Sequence, residues 1–133
     1  MRKSEYTKTR MPRTASSRTA LSQEHQEALR QFKAGVFQVL AHPTRIHVVE
    51  CLGNGPLTVG ALLEHIPVEP ANLSQHLSVL RAKRLVTTRK EGYQVWYALR
   101  DPMLIEVLDT MRRYFQTHLE EAMDMLRDLS HSR

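Results

Sequence analysis

The chain has 133 residues, 41% of them hydrophobic, a single cysteine and a net charge of +5. That length suits one domain with a modest core, and one cysteine excludes an intrachain disulfide framework. No apolar run approaches the roughly 18 residues of a membrane span and no hydrophobic leader is seen, so the expectation is a cytoplasmic protein with no membrane partner.

Residues 1–20 carry Arg2, Lys3, Lys8, Arg10, Arg13 and Arg18 against Glu5, with almost no apolar side chains. Such a stretch cannot bury enough surface to order itself and reads as a disordered basic tail; an arm touching DNA is the other reading. Residues 21–133 then form one domain. Ser22 is a candidate N-cap for a helix to about Ala41, with Leu29, Phe32, Val36 and Val39/Leu40 on one face. Pro43 suits the first turn of the next helix, Thr44–Leu52, which Gly53-Asn54-Gly55-Pro56 ends. Thr58–His65 has the apolar spacing of a short helix in Val59, Leu62 and Leu63, and Ile66–Glu69 is a turn.

Pro70–Lys83 is predicted as a second helix, with Leu73, Leu77 and Leu80 on one stripe. Leu85–Lys90 and Tyr93–Leu99 read as two strands around Glu91-Gly92. Val95, Tyr97 and Leu99 are expected to face inward, with Gln94 and Trp96 on the other side. Pro102 starts the longest helix, to about Leu129, with Leu104, Leu108, Met111, Phe115, Leu119, Ala122, Leu126 and Leu129 stepping by three or four.

The implied fold is mainly α with a small β-hairpin wing: a winged helix-turn-helix. That shape places one helix in a DNA major groove and a ribbon along the backbone. Charge agrees, since residues 70–100 carry Arg81, Lys83, Arg84, Arg89, Lys90 and Arg100 against Glu91 alone. Localised positive charge points to nucleic acid more directly than the overall balance does. With Leu73, Leu77 and Leu80 facing the core, Ser74, Gln75 and Ser78 fall opposite, with Asn72 and Arg81 on the flanks. Small and amide side chains there suit base edges, Gln pairing with adenine and Ser with either partner. A merely solvated face is the plain alternative. His76, about 60° from the core stripe, reads as a packing or hydrogen-bonding residue. Arg89 and Lys90, with Gln94 beside them, sit where a phosphate backbone would pass. The two long amphipathic helices predict a homodimer through Phe32, Val36, Leu108, Met111 and Phe115.

Leu40-Ala41-His42-Pro43-Thr44-Arg45-Ile46, Leu57-Thr58-Val59-Gly60-Ala61-Leu62, Leu73-Ser74-Gln75-His76-Leu77-Ser78-Val79-Leu80, Leu85-Val86, Gly92 and Tyr97 occur in order. Together they resemble the ArsR/SmtB family of winged helix-turn-helix repressors, over roughly residues 32–115. The resemblance implies a symmetric dimer that blocks transcription at a palindromic double-stranded operator until an effector releases it. It places DNA contacts on the same helix positions and leaves the effector unnamed.

The family's metal-ligand sets are broken here. Leu57-Thr58-Val59-Gly60 holds no thiol where the family's cysteine pair stands. On the last helix Asp101 fits the first ligand, but Met103, Tyr114 and Thr117 occupy the others. A shifted register accepts His118 and Glu121 yet meets Ile105 and Val107. A zinc site needs about four N, O or S ligands, so no metal and no cofactor is expected. Cys51 lacks a resolving partner and reads as a small buried hydrophobe. No nucleophile–base pair, catalytic carboxylate pair or phosphate loop is present, so no enzyme is expected. The favoured reading is a dimeric, sequence-specific repressor; the other is a winged-helix protein-interaction or nonspecific DNA-packaging module.

Overall fold

Five local devices start the helices among the described residues. Ser22 Oγ accepts from His25 N at 3.2 Å, Thr58 Oγ1 accepts from Ala61 N at 3.2 Å, and Asp101 Oδ1 accepts from Met103 N at 2.9 Å. Each satisfies an amide the helix itself leaves open. Pro43 and Pro70 stand in the first turns of two others, where a missing N–H costs nothing. The computed structural model describes residues 22–132. These belong to two compact units, one ending at Phe37 and the other starting at Gln38. The elements are α1 (Gln23–Leu40), α2 (Pro43–Leu52), β1 (Leu57–Thr58), α3 (Val59–His65), α4 (Pro70–Ala82), β2 (Val86–Glu91), β3 (Gln94–Leu99) and α5 (Met103–His131). Among the described residues no helix is long and apolar enough to cross a membrane.

The core is small and tight. Val48, Val49 and Leu52 of α2, Leu62 of α3, Ile66 after it, Leu73, Leu77 and Leu80 of α4, and Val86 of β2 are each at most 2% exposed. Burial of side chains of this size contributes about 1.5–3 kcal/mol each, which locks α4 to the domain by one face only. A Cβ on Gly53 would come within 2.8 Å of Ile105 Cδ1, so the glycine lets the start of α5 pack against the end of α2.

The wing is a three-stranded antiparallel sheet in the order β1-β3-β2. Its hairpin runs from Val86↔Leu99 to Glu91↔Gln94, and β1 adds Leu57↔Tyr97 and Thr58↔Trp96. Two sequence expectations are corrected here. The sheet has a third strand, too short at two residues to leave a period-2 signal. The hairpin loop is Gly92-Tyr93 rather than Glu91-Gly92, with Gly92 at φ +64°. The inward–outward alternation expected for β3 also fails. Val95 is 36% exposed because the tip projects beyond the core, while Trp96, beside β1, is half-buried.

The end of α4 is unusual. Leu85 N donates to Leu80 O, and Arg84 N to Arg81 O, the two bonds of a Schellman cap. Arg84 takes the left-handed position of that cap at φ +63°, the one such non-glycine among the described residues. Glycine adopts that conformation freely, whereas a residue with a Cβ meets a penalty of order 1 kcal/mol.

Candidate nucleic-acid interface

Helix α4 turns its three leucines inward at i, i+4 and i+7, and this fixes what it offers outward. Asn72, Ser74, Gln75, Ser78 and Arg81 are all exposed, Ser74, Gln75 and Ser78 opposite Leu73, Leu77 and Leu80 and Asn72 and Arg81 on the flanks. None of the five makes a side-chain hydrogen bond or ion pair among the described residues. The base-facing candidates from the sequence are thus brought onto one accessible helix.

His76, at the edge of that face, ties α4 to α2. Arg45 Nε donates to His76 Nδ1 at 3.1 Å while Arg45 Nη1 donates to Val39 O at 3.1 Å. The His42 ring packs tilted against that of His76, with centroids 4.3 Å apart. Burial first, then the neighbouring His42 and Arg45, lowers the His76 pKa below the usual histidine range. A neutral imidazole at Nδ1 is what the Arg45 bond requires, since a protonated nitrogen has no lone pair to accept with. His76 is therefore a hydrogen-bonding residue that sets the seat of α4.

The wing carries the other candidates. Arg89, Lys90 and Gln94 are exposed near the tip. Arg89 Nη2 lies 3.1 Å from Glu91 Oε2, a pair open to solvent on both sides. Exposed pairs of this kind contribute about 0–1 kcal/mol, so a phosphate can displace the carboxylate. Lys90 alternates to the opposite face of β2. The sequence reading put Tyr93 in the strand, but it stands in the loop, fully exposed beside Gln94. Trp96 packs, with its Nε1 enclosed and without a hydrogen-bond partner.

The residues set aside as metal ligands are placed as follows. His118 Nδ1 and Glu121 Oε1 lie 3.7 Å apart on α5, and Asp101 is engaged in capping that helix. No group of three or more His, Cys, Asp or Glu suited to a metal occurs among the described residues. Cys51 is half-buried rather than enclosed, and burial and then Glu50 push its thiol pKa up, away from the reactive thiolate.

The dimer candidates lie on α1 and α5. On α1, Phe32 is 57% exposed and Val36 half-buried. On α5, Leu108 is half-buried, whereas Met111 and Phe115 are 41% and 56% exposed. Not one residue of α5 is buried.

A three-strand wing behind a helix-turn-helix of this form defines the class of winged helix-turn-helix DNA-binding regulators, and comparison with known proteins agrees. The family described as a helix-turn-helix domain matches residues 40–89. The HTH-type transcriptional regulator Rv0081 of Mycobacterium tuberculosis is 36% identical over 77% of this chain and 91% of its own length. Its crystal structure superimposes with a TM-score of 0.65, covering 71% of this chain and 95% of that one. The transcriptional repressor BigR of Xylella fastidiosa, 32% identical, aligns with a TM-score of 0.61 over 68% of this chain and 92% of its own. The chain belongs to the ArsR-type family of helix-turn-helix transcriptional regulators, and it binds DNA to regulate transcription.

Proposed function

We propose that the protein is a homodimeric, sequence-specific repressor that occupies an inverted-repeat operator in the cytoplasm and performs no catalysis. Ser74 and Gln75, with Asn72 and Ser78, meet base edges in the major groove. Arg81, Arg89, Lys90 and Gln94 hold the phosphate backbone. The observation that carries this reading is the exposed stripe of α4, which is polar and uncharged at its centre, whereas Leu73, Leu77 and Leu80 beneath it are at most 1% exposed. Nonspecific packaging would be better served by Lys and Arg there.

The second copy is inferred from α5 and α1. Their Phe and Met side chains are exposed among the described residues, and α2 and α5 enclose a groove of about 340 Å³ lined by Ile46, Met111 and Phe115. Pairing across a two-fold axis sets the two α4 helices about 34–36 Å apart, one DNA turn. Relatives named as repressors, BigR among them, support the direction of regulation. With neither of the family's ligand sets present in the sequence, release is assigned to something other than a metal held at those positions.

Footprinting on the DNA upstream of its own gene tests the reading, followed by titration of the protected duplex. Gln75→Ala weakens that duplex by about 1–3 kcal/mol and leaves a scrambled duplex unchanged. Lys90→Ala weakens both and makes the log–log salt dependence shallower by about 0.9. Equal loss on both duplexes for Gln75→Ala removes base readout and leaves the packaging module.

A further inference from the structure

Behind the exposed stripe of α4, where β2 and β3 leave the domain, lies a cleft of about 360 Å³ lined by Arg81, Arg84, Val86, Thr87, Thr88 and Arg100. Three guanidinium groups share it and no carboxylate lines it. None of the three side chains makes a hydrogen bond or ion pair among the described residues, although arginines elsewhere do: Arg30, Arg112, Arg113 and Arg127 each hold a carboxylate within 2.9 Å. Like charges gathered without a counter-ion repel one another, and an anion in the cleft removes that repulsion.

Arg84 supplies a second, independent observation. It stands at the left-handed position of the α4 cap, where glycine is the residue without strain. Strain of this kind persists where the side chain is needed, and its cluster with Arg81 and Arg100 says for what. The backbone bond from Arg100 N to Leu85 O, at 3.0 Å, fixes the third arginine to the same corner.

We infer that this wing-root cleft of Arg81, Arg84 and Arg100 binds a phosphate group, and that the group is a backbone phosphate of the bound DNA. Guanidinium forks match phosphate oxygens in pairs, and Thr87 and Thr88 hydroxyls add neutral donors. Direction favours DNA over a free anion. Arg81 continues the stripe of Ser74 and Ser78 at i+7 and i+3, so the cleft lies at the far end of the reading face. A helix of 13 residues is about 20 Å long, against a major groove about 12 Å wide. With its N-terminal half at the bases, its C-terminal end reaches a flanking strand. The inference rests on the DNA-facing placement of α4, but it does not require base readout.

Arg84→Gly makes the test, because it removes the guanidinium while supplying the residue the backbone prefers. Affinity of the full-length protein for a mixed-sequence duplex of about 30 base pairs is measured across a salt series. The slope of log affinity against log salt becomes shallower by about 0.9 for Arg84→Gly, and likewise for Arg100→Gln. Arg127→Gln, whose charge is already matched by Asp124 at 2.6 Å, leaves the slope unchanged. The melting temperature of Arg84→Gly equals or exceeds that of the parent, which removes misfolding as a cause. A parallel melt with sodium pyrophosphate at fixed ionic strength separates the sources. Stabilisation of the parent alone, with unchanged DNA slopes, assigns the cleft to a free phosphate and overturns the DNA contact. Unchanged slopes without stabilisation, or an equal slope change in Arg127→Gln, overturn the site altogether. Gln75→Ala losing specificity while Arg84→Gly keeps its slope refutes this cleft and leaves the α4 reading standing.

Discussion

Helices α4 and α5 are both amphipathic, yet they spend their apolar faces differently. In α4 three leucines vanish into the core and the surface is left to Ser, Asn, Gln and Arg. In α5 the apolar stripe is longer, 29 residues against 13, and nothing on it is buried, with Phe115, Leu119, Leu126 and Leu129 each more than half exposed. Ordinary monomers do not leave so continuous an apolar face in water. The apolar face of α4 is covered by the described residues, whereas that of α5 is not, and under the proposed dimer a second copy covers it. On the proposed function, what α4 exposes meets DNA, and what α5 exposes sets how two copies of α4 are spaced.

The sharpest way to break that contrast is to charge the second face. Phe115→Glu is expected to place a carboxylate in the dimer seam, at a cost of several kcal/mol. Sedimentation then reports monomer, and operator affinity collapses although every side chain of α4 is intact. Because Phe115 is already 56% exposed within its own chain, the circular dichroism of the isolated protomer changes little. A dimer that persists and binds normally refutes the assignment of α5.

Leu77→Ala is the converse experiment. It opens a cavity under α4 and is expected to cost about 2–5 kcal/mol of unfolding free energy, read as a lower urea midpoint. Below the unfolding transition the dimer remains, because the α5 face is untouched. Loss of the dimer before unfolding would mean that the two faces are not independent, and the comparison would fail.

These two helices were also unequally legible in the sequence. The leucines of α4 recur at i, i+4 and i+7, so the inward stripe and its polar opposite follow from periodicity alone, and Asn72, Ser74, Gln75 and Ser78 are exposed in the structure. The stripe of α5 is equally periodic, but periodicity says that a face is apolar, not what covers it. Other features lie below the reach of pattern. Strand β1 is two residues long and exists by pairing with Trp96 and Tyr97, far along the chain. The half-burial of Trp96 follows from that strand, so the alternation rule misjudged it. Arg84 was legible only as a charge, since nothing in its neighbours' composition announces a left-handed arginine in a cap that usually takes glycine. The wing-root cleft is built from the end of α4 and its cap, β2 and Arg100 just past β3, and its three arginines are separated by up to 19 positions from Arg81 to Arg100.

The smallest expected effect concerns how α4 is seated. His76 has its pKa lowered by burial, then by His42 and Arg45, and its Nδ1 accepts from Arg45 Nε at 3.1 Å. A basic group whose folded pKa lies below its unfolded value makes the unfolded chain bind more protons, so stability rises with pH. The contribution is complete above the ordinary histidine value of 6.5 and is lost as pH falls through the lower, folded one. Acidification therefore protonates the nitrogen that Arg45 needs and sets an imidazolium against a guanidinium. His76→Gln keeps an amide oxygen for Arg45 and has nothing to titrate. Urea midpoints measured from pH 7.5 to 5 are expected to fall less steeply in that variant than in the parent, and the parent's operator affinity is expected to decline over the same range. Parallel midpoints in the two proteins would show that the seat of α4 does not depend on this proton, leaving the buried leucines alone to hold the helix against α2.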